Sequence, residues 1–248
     1  MAVKSDNLDF NRGVSFVVFF KDLSDEPVKT IENILCGMAG VPEIEFEIVL
    51  VRDGGHRNIL VESFLSEFNS SGTIKFLEIN ETCGVSKVLD KAVELAAFSH
   101  IVIAPGNNPF TVESYTAVVQ NFELFDAVLG YRKNLAKARP YPKVIASRCL
   151  LLLVKFIFRP RFDFVKDLHG LNLYRTEHVA RLARFGHGHG IQISLIVPVS
   201  FSGGAISQVQ VSNNLMRNSL RIKVLKFPSF KQVLNVFRDL IRLRRTYS

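Results

Sequence analysis

The sequence predicts an α/β protein: a mostly parallel central sheet flanked by helices. Three observations predict it. Short apolar runs of strand length alternate with stretches whose apolar residues recur at helical spacing, which is the pattern of strands joined by crossover helices. The chain has 248 residues, 48% of them hydrophobic, enough to fill one large core. No internal repeat or low-complexity segment breaks the alternation.

Each element follows in order. GVSFVVFF, 13–20, is a continuous apolar run and reads as the first strand. Asp25 to Cys36 reads as a helix, with Val28, Ile31, Ile34 and Leu35 on one face. EFEIVLV, 45–51, is the second strand; it ends in the turn RDGG, and NILVESFLSEF follows as a helix. TIKFLEI, 73–79, is the third strand and VSKVLDKAVELAA, 85–97, an amphipathic helix. HIVIA is the fourth strand, running into a turn over Pro105 to Pro109, with a helical patch near 111–124. DAVLGYR, 126–132, is the fifth. Beyond it the pattern loosens. Residues 133–147 are basic and Pro-containing and read as a loop, SRCLLLLVKFIF as a helix, and KDLHGLNLYR, 166–175, as a strand or turn. GHGHG, 186–190, reads as flexible, SLIVPVSF, 194–201, as a strand, and FKQVLNVFRDLIRLRR, 230–245, as a helix.

The formal net charge of +8 asks for an acidic partner: nucleic acid, a phosphorylated small molecule or an anionic membrane. Residues 217–245 hold nine Lys or Arg against one Asp. The chain lacks the basic–aromatic interleaving of a known nucleic-acid module, so no nucleic acid is expected as a partner. Cys36, Cys83 and Cys149 are far apart, with no metal-ligand spacing, as expected of reduced thiols in a cytoplasmic protein. The polar start MAVKSDNLDFNRG is unlike a leader. The longest apolar run, CLLLLV, stops at Lys155, well short of the roughly 20 residues of a membrane span.

The residues that carry chemistry lie where strands end. Asp53, in VRDGGHRN, is either a turn residue of the Asp–Gly pair or a ligand acceptor. Gly84, in TCGVSKVLDKAVELA, lets a helix N-terminus approach a ligand. Lys87, in that helix's first turn, opposes the dipole unless an anion lies nearby. DAVLGYR and KDLHGLNLYR follow, the latter with Asp167, Gly170, Tyr174 and Arg175. These segments, in this order, resemble family 2 glycosyltransferases of the GT-A (Rossmann-like) fold, similar to polyprenyl-phosphate sugar transferases and other polysaccharide-assembly enzymes. VRDGGHRN stands where the family has V-D-D-G-S-T-D. Residues 82–96 stand for N-x-G-x-S-x-A-L-N-x-G-I-x-x-A, matching at Gly84, Ser86, Leu89 and Ala96. DAVLGYR resembles D-x-V-x-G-x-R, and KDLHGLNLYR resembles D-x-x-x-G-x-x-x-Y-R.

The resemblance implies a glycosyltransferase domain over 1–225 and a basic amphipathic C-terminal helix over 226–248. It implies a UDP- or GDP-linked sugar bound by Phe19, Asp53, Gly84, Lys87, Pro105, Gly106, Asn107, Arg132 and Arg217, with Asp53 accepting from the base. It implies Asp167, with His169 beside it, as general base, a base that an acceptor already in the form of a phosphate anion does not need. The family's fourth strand ends in D-x-D, whose carboxylates hold Mg²⁺ or Mn²⁺ on the donor diphosphate. Aligned on Pro109, this chain has Ile103 and Pro105 there; relatives with P-G-D-N align Asn107 with an acid. Three readings stay open: transfer without metal, with Arg and Lys replacing the cation; weak metal binding through Asn107; or a relative without catalysis. Ser194–Leu195 stands where relatives carry an acid before a late strand, and MRNSLR, 216–221, loosely resembles a loop closing over phosphates through Arg217 and Arg221. His187 and His189 are not a rigid metal pair amid glycines.

The C-terminal segment places Phe230, Val233, Leu234, Phe237, Leu240 and Ile241 on one face, flanked by Lys231, Arg238, Arg242, Arg244 and Arg245. That suits an anionic membrane surface, or packing on the core or in a homodimer; residues 150–162 are similar in character. The expectation is an inverting glycosyltransferase of surface-polysaccharide or glycolipid assembly, with a lipid-linked or saccharide acceptor, cytoplasmic and peripherally attached to the inner face of the cell membrane. The alternative is a catalytically silent relative that binds nucleotide or a partner enzyme.

Overall fold

The computed structural model describes residues 10–21, 26–54, 59–68, 73–132, 141–182, 191–214 and 230–247. Four strands alternate with helices: β1 (Asn11–Phe20), α1 (Pro27–Met38), β2 (Phe46–Asp53), α2 (Ile59–Phe68), β3 (Ile74–Ile79), α3 (Val85–Leu95), β4 (Phe98–Pro105) and α4 (Val112–Val119). The second half runs β5 (Ala127–Arg132), α5 (Tyr141–Ile157), β6 (Asn172–Arg175), α6 (Thr176–Leu182), α7 (Ile191–Phe201), β7 (Ile206–Val211) and α8 (Phe230–Tyr247).

The strands form one sheet in the order β3-β2-β1-β4-β6-β5-β7. β1 lies parallel to β2 and β4, and β2 parallel to β3. β6 is antiparallel to both β4 and β5, and β5 is parallel to β7. The chain thus steps outward from β1 to β3 and returns through α3 to set β4 on the other side of β1. That reversal makes a topological switch point, and in open α/β sheets ligands bind beyond the strands' carboxyl ends at such a point. Register fixes what meets there: Phe19 lies opposite Pro105, Phe20 opposite Arg52, and Arg52 opposite Glu78. Because β6 runs backwards, its amino end at Asn172 joins the carboxyl ends of β4 and β5 on the same edge.

β1 is a continuous apolar run because it is covered on both faces. Val14, Phe16 and Val18 meet Ile31 and Ile34 of α1 and Tyr115 and Val118 of α4. On the other face Val17 joins Val88 and Leu89 of α3, Val154 of α5, α7, and Leu240 and Leu243 of α8. α8 therefore seats part of its apolar face in the same core as the strands.

Two readings of the second half are corrected. SLIVPVSF is helix, not strand: it lies in α7, where Ile191 and every residue from Ile193 to Val199 are buried. A helix enclosed on all sides has no polar face, so its sequence carries no period, and β-branched residues then mimic a buried strand. Residues 141–147, expected to belong to the basic loop, are helix: α5 starts at Tyr141, with Pro142 in its first turn, and 133–140 lie outside the described residues. β7, ISQVQV, had no counterpart in the sequence reading; it is a half-polar edge strand, paired only with β5. KDLHGLNLYR divides into bends followed by the short strand β6.

Candidate functional site

Three features shape the carboxyl edge. The first is a latch between the β2 turn and the start of α3. Asp53 is buried, and its carboxylate accepts hydrogen bonds from the backbone N–H groups of Cys83, at 2.7 Å, and Gly84, at 3.1 Å. Gly84 has φ +83°, which glycine adopts without strain, and among the described residues no atom beyond its chain neighbours lies within 4 Å of where its side chain would be. Burial, then Asp53, pushes the Cys83 thiol up, while the nearby Lys87 charge opposes them, so the thiol is a protonated wall of the site. Lys87 is exposed in α3's first turn. The two N–H groups take two of the about four acceptor positions on the Asp53 carboxylate.

The second feature is the turn after β4. The Gly106 N–H donates to the Phe19 carbonyl at 2.8 Å, and the Gly106 carbonyl accepts from Glu26 N–H at 2.8 Å. This ties the turn to the end of β1 and to the start of α1. Asn108, with φ 48°, is the hub. Its side-chain oxygen accepts from Asn33 Nδ2 at 2.8 Å and from Asn214 Nδ2 at 3.3 Å, and its backbone N–H donates to Thr30 Oγ1 at 3.1 Å. Sequence reasoning had singled out Asn107, which is exposed at the tip, and missed Asn108, Asn33, Asn214 and Thr30. The Asn–Asn pair held a signal, because Asn accepts positive φ and bonds its surroundings.

The third feature joins β5 to the segment before β6. Arg132 and Asp167 are both buried and form a bidentate pair, Nε to Oδ2 at 2.7 Å and Nη2 to Oδ1 at 3.0 Å. The His169 N–H donates to Asp167 Oδ1 at 3.0 Å. Burial alone would raise the Asp167 carboxyl, but the Arg132 hydrogen bonds and charge, with the His169 N–H, outweigh it and hold the group below its ordinary value. Gly170 packs against the Gly130 carbonyl so closely that any side chain there would overlap it. Asp167 is thus a carboxylate spent on a cation, and a weak base.

The donor set for a divalent cation is absent from the β4 turn. Ile103 is buried in the strand, opposite Val17 and Asn172; Pro105 offers no side-chain oxygen; Asn107 alone is a neutral oxygen. Among the described residues no group of three or more His, Cys, Asp or Glu converges on one point. The residues at this turn therefore do not fit the metal the resemblance implies. Arg52, beside the latch, is buried against Glu78 and lies 6.0 Å from the Phe76 ring centre. Arg217, Arg221, Lys133, Lys137, Arg139, His187 and His189 lie outside the described residues. Ser194 is buried within α7. An apolar cavity of about 500 Å³, lined by Leu35, Ile44, Phe46, Ile74 and Phe98, sits at the strands' amino ends and does not belong to this site.

No family model matches the sequence, and no curated protein sequence matches it. Solved structures do. A mycobacterial protein superposes with TM-score 0.64 at 14% identity, over 95% of this chain and 76% of that one. Mannosyl-3-phosphoglycerate synthase from Rubrobacter xylanophilus gives 0.56 at 13% identity, over 94% and 73%. S. aureus TarS 1–349 in complex with UDP-GlcNAc gives 0.51 at 13% identity, over 79% of this chain and 56% of that one. The last comparison spans little more than half of the longer protein. Strand order and these superpositions agree that the chain has the GT-A fold.

Proposed function

We propose that the protein transfers a sugar from a nucleotide-diphosphate donor, UDP- or GDP-linked, with inversion at the sugar carbon, to a lipid-linked or saccharide acceptor. The observation that carries this reading is the Asp53–Gly84 latch, which fixes the start of a helix at the switch point. In that frame the base lies toward Asp53, and the diphosphate faces the opening of α3 with Lys87 above it. TarS, a structural neighbour, is seen with UDP-GlcNAc and with UDP. Charge leaving with the nucleotide is then met by basic side chains and backbone N–H groups rather than by carboxylate-held metal.

The Arg132–Asp167 pair bears on the acceptor. A carboxylate already bonded to a guanidinium removes a proton from a sugar hydroxyl poorly. A phosphate acceptor is ionised already and needs no base, so a lipid phosphate suits this site better than a sugar alcohol. Asp167 then acts as a positioning residue for Arg132. A second reading, a nucleotide-binding relative without turnover, is favoured by the same engaged carboxylate and by the neutral β4 turn.

Calorimetric titration with UDP and GDP, each with Mg²⁺ or Mn²⁺ and with EDTA, tests both, followed by transfer from the nucleotide sugar that binds. Binding that survives EDTA, with transfer to a lipid phosphate, is the expected result. Binding without turnover on any acceptor supports the second reading, and no binding of either nucleotide overturns both.

A further inference from the structure

α5 is apolar on two opposite faces. Its inner side sends Val144 and Val154 into the core. Its outer side carries Ile145, Cys149, Leu152 and Phe156, spaced four, three and four residues apart, so that they form one stripe along the helix. Ile145 is 46% exposed, Leu152 66% and Phe156 77%, and Cys149 is exposed as well. Water gives no reason for a stripe of this kind. Its surroundings are of one sign: residues 141–162 contain Lys143, Arg148, Lys155, Arg159 and Arg161, and no Asp or Glu. The nearest acid, Asp163, pairs with Arg159 at 3.6 Å.

We propose that this outer stripe of α5 is a docking face for an anionic lipid bilayer. Leu152 and Phe156 enter the boundary between headgroups and acyl chains, while the flanking cations meet lipid phosphates. Charge separates this occupant from a second copy of the chain. A two-fold interface would set exposed Arg148 and Arg159 of both copies close to each other, whereas an anionic surface complements them. α8, which packs against α5, adds exposed Phe237 and Ile241 beside exposed Arg238, Arg242 and Arg245, but commits Leu240 and Leu243 to the core. This inference goes beyond the nucleotide reading and does not depend on it.

The test is co-sedimentation of the full chain with vesicles of phosphatidylcholine, and of phosphatidylcholine mixed with phosphatidylglycerol, without nucleotide. Wild type is expected to sediment with the mixed vesicles, much less with phosphatidylcholine alone, and less as salt rises. Leu152→Glu/Phe156→Glu, both at exposed positions, is expected to keep the thermal melt and to lower mixed-vesicle partitioning by about tenfold or more. If that variant fails to fold, Arg148→Glu/Arg159→Glu serves instead, with the preference for phosphatidylglycerol lost. Wild type that ignores the mixed vesicles overturns the proposal. So does undiminished binding by the variants, or a solution dimer that Leu152→Glu/Phe156→Glu dissolves while vesicle binding persists.

Discussion

Two buried carboxylates stand at the same edge of the sheet and do different work. Asp53 spends its charge on two backbone N–H groups, shaping the loop that opens α3. Asp167 spends its charge on a guanidinium and thereby holds Arg132 in place. The first arrangement leaves acceptor positions on the carboxylate unfilled by those groups; the second neutralises itself. The half of the site built on β1, β2 and β3 is therefore held by backbone hydrogen bonds to one carboxylate. The half built on β4, β5 and β6 is braced, by Asn108 in the turn and by the ion pair beyond it.

Removing one partner of the ion pair has the largest expected effect. Asp167→Ala leaves a buried guanidinium unpaired, and denaturant unfolding is expected to show a loss of about 3–5 kcal/mol. Replacing both partners, Arg132→Met with Asp167→Leu, restores most of that loss, because matched apolar groups avoid the desolvation penalty. A double variant as unstable as the single one would break the view of the pair as a self-neutralising brace. If stability returns and transfer does not, Arg132 acts on the substrate.

Acid separates the pair from the rest of the fold. Burial, aided by the Arg175 charge, pushes His100 down to about 4. The unfolded chain binds a proton there that the folded chain refuses, so stability falls as the pH drops from about 6.5 to about 4, by up to about 3 kcal/mol. Asp167, held below its ordinary value, contributes above the unfolded carboxylate range, and its share is lost only as the pH falls below that range toward its folded value. His100→Phe is expected to flatten the first decline and leave the second, as read from urea midpoints across pH.

Asp53→Ala is expected to cost about 1–3 kcal/mol, since two N–H groups lose their acceptor, and to weaken nucleotide binding in calorimetry. Full affinity in this variant would remove the latch from the binding half. The smallest effect is expected at the turn: Asn108→Gly keeps the positive φ but loses the hub, for about 1 kcal/mol by thermal melt. A larger loss would mean that the brace carries more than the turn.

Much of the first half was legible because each of its helices has one wet face and each strand is bounded by a turn. Val88, Leu89, Ala92 and Val93 mark α3 by period alone. α7 was misread because burial on every side erases its period, and β7 was passed over because an edge strand mixes polar and apolar residues. In the site, positions were readable and partners were not. Nothing in DAVLGYR and KDLHGLNLYR states that Arg132 and Asp167 meet, because that contact depends on β6 running backwards beside β5. Asn108 was missed for a related reason, since its partners Asn33 and Asn214 are far away in sequence.

The strand order also bears on how the molecule assembles. β1, β2 and β3 pair through short crossovers, and β4 returns soon afterwards. β6 must find β4 from far along the chain, with Arg175 opposite His100, and β7 must find β5, with Ile206 opposite Ala127. Contacts between distant parts of a chain form slowly, because closing the intervening loop comes before any gain from pairing. During synthesis the half that carries the latch can therefore condense while the ion pair still lacks one partner. Until then Arg132, at the end of β5, waits for a carboxylate the ribosome has yet to supply.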